Sequence, residues 1–84
     1  MLAPDQTRQN AVFNHLRHSI LTGALPGGGR LPPSRSLAHE LGVARQTVVL
    51  AYERLAAEGY VRGRTGSGTY VATDLPDQAP APAA

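Results

Sequence analysis

Arg45, Gln46 and Thr47 follow one another in the chain, and each has a defined way of meeting a nucleic acid. Arginine can donate two bonds to guanine O6 and N7. Glutamine can bond adenine N6 and N7, and threonine can bond a phosphate or touch a thymine methyl. Arg35 lies upstream and Arg64 downstream, the latter beside Gly66-Ser67-Gly68. A stretch that bare of side chains can approach a sugar-phosphate backbone or enter a minor groove, whose negative potential attracts arginine. Together these residues imply contact with duplex DNA, with phosphate contacts positioning the protein and base contacts reading the sequence. The plainer alternatives are a solvated helix start for Arg45-Gln46-Thr47 and, for Arg35, a salt bridge to Glu40 or Glu58.

Such residues need elements to hold them. Val12, Phe13, Leu16, Ile20 and Leu21 recur at helical spacing, so a helix is predicted from about Gln6 to Thr22, stopped by Gly23 and followed by Pro26. Residues 1 to 5 are expected to be disordered. The run Leu25 to Arg30, with three consecutive glycines, reads as a loop, and Leu31-Pro32-Pro33 leaves it extended. Ser34 is placed to cap a short second helix ending at Leu41, whose apolar stripe is Leu37, Ala38 and Leu41. Gly42-Val43-Ala44 makes a tight turn, with Gly42 left-handed. A third helix runs from about Arg45 to Glu58, burying Val48, Ala51, Tyr52, Leu55 and Ala56, with the Tyr52 hydroxyl at the surface. Residues Tyr60-Val61-Arg62 and Thr69-Tyr70-Val71-Ala72 read as two strands around the turn-rich stretch Gly63 to Gly68. From Thr73 the chain becomes a Pro/Ala-rich linker or tail.

Helix, glycine turn and helix set the third helix at a steep angle to the second, so that its N-terminal turn projects from the body. A projecting helix N-terminus fits a major groove and turns the positive end of its dipole toward phosphate.

Composition narrows the function further. With 84 residues there is room for one domain and little room for an enclosed small-molecule pocket. There is no cysteine and hence no disulfide or thiolate chemistry. No apolar run approaches the ~20 residues of a membrane span, and the N-terminus lacks the apolar core of a signal peptide, which suits a cytoplasmic protein with no membrane partner. The net charge is only +2, but all eight basic residues are arginine and two of the six acids fall after residue 73. Arginine suits bidentate recognition, although a bias of the genome toward GC-rich codons accounts for part of the excess. His15, His18 and His39 lack a carboxylate partner at ligand spacing and read as surface residues, with no metal. No catalytic dyad or triad is placed, so the chain is not expected to be an enzyme. Gly63 to Gly68 lacks the Lys-Ser/Thr of a phosphate-cradling loop. Arg8, Arg17 and Arg54 read as ordinary surface charge, and Arg62 is evenly balanced between surface charge and DNA contact.

The runs LPPSRSLAHELGVARQTV (31–48), YERL (52–55), EGY (58–60) and GRTGSGTYV (63–71) resemble the GntR-family winged helix-turn-helix in order and spacing. VVLAYERL (48–55) and GSGTYV (66–71) look most like its MocR subfamily, and the resemblance spans about residues 10 to 72. It implies a mainly α fold of three helices plus a two-stranded antiparallel wing over 1–72, followed by a linker over 73–84. It implies an operator-reading head, with DNA-binding positions at Ser34, Arg35, Arg45, Gln46, Thr47, Arg64, Gly66 and Ser67. In that subfamily the head is joined to a large aminotransferase-like domain that binds pyridoxal 5′-phosphate, and the full-length proteins are homodimers. This chain has no lysine to form a Schiff base, so it is expected to hold no cofactor and to be an excised head. Two departures stand out. Ala44 occupies a position that is often Ser or Thr, losing a helix cap worth ~1 kcal/mol. Val49 occupies one where some branches carry a base-reading arginine. A winged helix can also serve purely as an interaction or dimerisation module, and exposed apolar residues in place of the polar Arg45-Gln46-Thr47 face, Arg35 and Arg64 would favour that reading.

Overall fold

The first helix, α1, runs Pro4–Leu21, in the computed structural model, which describes residues 4–64 and 68–73. Proline at the first helical position costs no hydrogen bond, because that N–H has no intrahelical acceptor. The helix therefore begins earlier than the apolar pattern predicts, and residues 4 and 5, expected to be disordered, are helical. Residues 1–3 lie outside the described residues. Val12, Phe13, Leu16 and Ile20 form one buried stripe, as their spacing predicts.

Helix α2 (Ser34–Leu41) and helix α3 (Arg45–Ala57) follow, and α1 and α2 both pack against α3. Gly42 joins the latter two at φ 70°, where a side chain would be strained. Val43 N–H donates to the Ala38 carbonyl at 3.0 Å and Gly42 N–H to the His39 carbonyl at 3.3 Å, the double bond that closes a Schellman turn. On α3 the buried set is Thr47, Val48, Ala51 and Leu55, with the last three entirely out of solvent.

Leu41 departs from expectation: it is 37 % exposed. It is the last residue of an eight-residue helix, and the chain turns away at Gly42. Leu37 and Ala38, on the turn before, fill the core instead. Leu41 contributes to an apolar groove with Val12, His15 and Val43.

The hairpin pairs β1 (Val61–Arg64) with β2 (Gly68–Val71), antiparallel, in the register Val61↔Val71, Arg62↔Tyr70, Gly63↔Thr69 and Arg64↔Gly68. The strands thus extend into the stretch read as turn, while Tyr60 and Ala72 fall outside them. Val61 and Val71 face the core. Thr65, Gly66 and Ser67 lie outside the described residues, as does the expected tail beyond Thr73.

The other edge of β2 is also occupied. Leu31 N–H donates to the Thr69 carbonyl (2.8 Å), Val71 N–H to the Gly29 carbonyl (2.8 Å) and Gly28 N–H to the Val71 carbonyl (2.9 Å), and Arg30 pairs with Tyr70. The glycine run remains a loop, as its residues predict, but it is tied to β2 by a single bridge at Arg30 and these three bonds, and Leu31 beside it is buried to 2 % exposure. Pairing on both sides fixes the wing to the body.

Candidate nucleic-acid interface

Arg45 and Gln46 occupy the first two positions of α3 and are exposed. Neither α2 nor α3 has an acid in its first turn, so nothing in either helix neutralises its positive dipole end. Ala44 precedes α3 in extended backbone (φ −66°, ψ 145°) and makes no side-chain cap bond. The first N–H groups of α3 are left with open donor capacity toward any acceptor placed beyond them.

Thr47 does not join this exposed pair, contrary to the expectation of a fully polar turn. It is 6 % exposed, because residues 47, 51 and 55 recur every four positions on the face that packs inward. The outward face of α3 carries Arg45, Gln46, Leu50 and Glu53, with Val49 half-buried.

Ser34 also differs in detail from its sequence reading. Pro33 is the N-cap of α2 and Ser34 the first helical residue, with no side-chain cap bond. The Ser34 hydroxyl instead accepts a 3.4 Å hydrogen bond from Arg45 Nε. That contact joins the beginning of α2 to the beginning of α3. It brings Ser34 and Arg45 together, with exposed Arg35 next along α2.

Behind this corner, Tyr52 Oη donates to the Pro32 carbonyl at 2.6 Å. Instead of lying free at the surface, the hydroxyl anchors the extended Pro32-Pro33 segment to α3 and so helps place Ser34 and Arg35. Burial disfavours the phenolate and pushes the Tyr52 pKa from 10.0 up to about 12.

On the wing, Arg62 is exposed and Arg64 lies at the end of β1 opposite Gly68. The Arg64 side chain and the predicted tip residues Gly66 and Ser67 lie outside the described residues.

Two arginines read as surface charge are structural ties. The Arg54 guanidinium lies 3.9 Å from the centre of the Phe13 ring, donates to Asn10 Oδ1 at 2.6 Å and meets Glu58 at 3.3 Å. Arg17 Nε donates to Tyr60 Oη at 2.8 Å, and Tyr60 meets Phe13 edge-on at 6.3 Å. Both hold α1 to the rest of the domain. Apart from the i,i+4 pair with Glu58, the sequence offers no sign of these ties, since Tyr60 lies 43 positions from Arg17 and Asn10 44 from Arg54. Arg30 is the opposite case: the last residue of the run read as a loop, it is exposed and stands where the glycine run, the wing and α3 meet. Its place next to buried Leu31 in an extended segment is the one signal that points it outward.

Residues 8–71 match the family described as "Bacterial regulatory proteins, gntR family". Among curated relatives, the chain is 48 % identical over 73 residues to the "Probable rhizopine catabolism regulatory protein MocR" of Rhizobium meliloti, covering 87 % of this chain and 15 % of that protein. It is 48 % identical over 64 residues to the "HTH-type pyridoxine biosynthesis transcriptional regulator PdxR" of Corynebacterium glutamicum, covering 76 % of this chain and 14 % of that one. Among solved structures it resembles the AraR DNA-binding domain in complex with operator ORR3. The TM-score is 0.75 at 25 % identity, covering 86 % of this chain and 83 % of that one. The chain thus spans about one seventh of the length of the two curated relatives.

Proposed function

The chain belongs to the gntR family of bacterial regulatory proteins, and from that premise we propose that it reads operator DNA to control transcription. Helix α3 enters the major groove with Arg45 and Gln46 toward the base edges. Ser34 and Arg35 meet the groove edge or the backbone, and the wing, including Arg64, Gly66 and Ser67, lies on the backbone or minor groove. Thr47 supports α3 from within, with no base contact assigned to it. The observation that carries this reading is the exposed Arg45-Gln46 pair on a helix start without acids, tied through Ser34 to the start of α2. The likeness to an operator-bound domain supports it.

Operator binding needs no catalytic group, and the function is non-enzymatic. A cytoplasmic location follows from a DNA target; no helix among the described residues is long and apolar enough to cross a membrane. The full-length protein is a homodimer, so that two heads reach two half-sites. Pyridoxal 5′-phosphate is the cofactor expected of a further domain. The residues of this chain do not fit it, since without lysine they offer no amine for a Schiff base.

The test is Arg45→Ala. It should cost ~1–3 kcal/mol of binding and relax the preference at one base pair. An unchanged preference would remove Arg45 from base reading.

A further inference from the structure

The wing and α3 are separated by a cleft of about 390 Å³ whose lining includes Arg30, Ser34, Val49, Tyr52, Glu53 and Gly68. Four segments contribute to it: the end of the glycine-rich loop, the start of α2, the outward side of α3 and the start of β2. We propose that Arg30 is a DNA-backbone contact, gripping the phosphates of the strand that passes between α3 and the wing. The proposal rests on the operator-binding reading above. If α3 lies in the major groove and the wing reaches the flanking backbone, the strand bordering that groove must run past this cleft.

Two features make Arg30 more than a loose surface charge. Its backbone is held in the sheet by the pairing with Tyr70 and the Leu31–Thr69 bond, so its Cα cannot drift. Its guanidinium lies against Gly68: a Cβ at residue 68 would stand 2.8 Å from Arg30 Nε and 3.2 Å from Nη2. Gly68 has φ 118° and no side chain, so the wing backbone there is a seat that only glycine provides. The missing side chain at Gly68 makes room for a cation as well as for DNA.

Glu53 lines the same cleft, and among the described residues no ion pair joins it to Arg30. The guanidinium is placed to meet a phosphate there, and the carboxylate opposes that phosphate. A phosphate held by arginine and resisted by glutamate gives two effects of opposite sign.

The test uses the whole chain with a mixed-sequence DNA duplex, since a phosphate grip is independent of base sequence. Affinity is measured across a salt series for the parent chain, Arg30→Gln, Arg30→Lys and Glu53→Gln, with circular dichroism as the check on folding. Arg30→Gln should bind more weakly, with the log–log salt slope reduced by about 1 and base preference unchanged. Arg30→Lys should keep the slope, and Glu53→Gln should bind more tightly. A folded Arg30→Gln with the parent's affinity and slope overturns the proposal. So does a loss confined to one base pair, which would make Arg30 a base reader. If Arg30→Gln does not fold, Arg30→Lys and Glu53→Gln decide: parent-like affinity in Glu53→Gln, or a reduced slope in Arg30→Lys, overturns it. If the parent chain binds no duplex at low salt, the operator-binding reading falls and this proposal with it. If the parent binds with a preference that Arg45→Ala alters, while Arg30→Gln matches the parent, only the role of Arg30 falls.

Discussion

Ala44 offers a way to separate the stability of α3 from its approach to DNA. Its backbone already has the extended geometry of a helix cap, and its methyl group accepts nothing. In Ala44→Ser the hydroxyl oxygen comes within reach of the N–H groups of Gln46 and Thr47. The Thr47 N–H now donates only to the Ala44 carbonyl, at 3.0 Å. A serine cap in place of alanine is worth ~1 kcal/mol. For a domain of this size that raises Tm by roughly 4–8 °C. Ala44→Asp should stabilise by a similar amount, with its charge also favoured by the helix dipole. The two variants then part company on DNA. The serine leaves the charge of the helix start unchanged. The aspartate sets a negative charge at the helix start, whose positive dipole end and open N–H groups favour a phosphate there, and a like charge about 4 Å away costs about 1 kcal/mol even at the dielectric of water, roughly fivefold in affinity. Thermal unfolding followed by circular dichroism reads the first effect, and fluorescence anisotropy with a labelled duplex at low salt reads the second. Equal duplex affinity for Ala44→Ser and Ala44→Asp, with both stabilised, would refute the placement of phosphate at the start of α3. An unchanged Tm in both would refute the capping argument.

Other expectations concern the body of the domain. Arg54→Ala should cost about 1 kcal/mol of stability, chiefly the ring contact with Phe13, because the ion pair to Glu58 is half exposed and worth little. Its salt slope for DNA should match the parent's, and a reduced slope would make Arg54 a phosphate contact. Tyr52 holds its proton more tightly folded than unfolded, with a pKa of about 12 against 10.0. Its contribution is complete below pH 10 and lost as pH rises toward 12. Urea unfolding between pH 8 and 11 should show stability falling in the alkaline part of the range, and Tyr52→Phe should flatten that fall. An equally steep decline in Tyr52→Phe would show that other groups carry it.

Most of the fold was legible in local pattern. The α1 stripe, the left-handed Gly42 and the paired strands each follow from spacing or from a glycine at a turn. Where the reading failed, tertiary contact decided. The glycine run is the loop it reads as, but its docking on β2 gave no local sign, because those bonds depend on the free edge of β2 and not on the run's own propensity. Leu41 fits a helical stripe, but the stripe overhangs the core at the end of α2. Arg35, Arg45 and Gln46 were legible as exposed polar residues at the starts of two helices. The polarity of Thr47 suggests exposure, but the four-residue repeat with Ala51 and Leu55 places it inside. The link from Ser34 to Arg45 and the seat of Arg30 on Gly68 both join residues distant in sequence, and only the folded chain brings them together.

The most direct test of operator reading is selection of the chain against a randomised duplex pool at low and moderate salt, sequenced before and after, with Arg45→Ala in parallel. The account predicts enrichment of a short motif, binding that weakens with salt, and loss of preference at one position of that motif in Arg45→Ala. A parent chain that enriches no motif and binds no duplex even at low salt would contradict it.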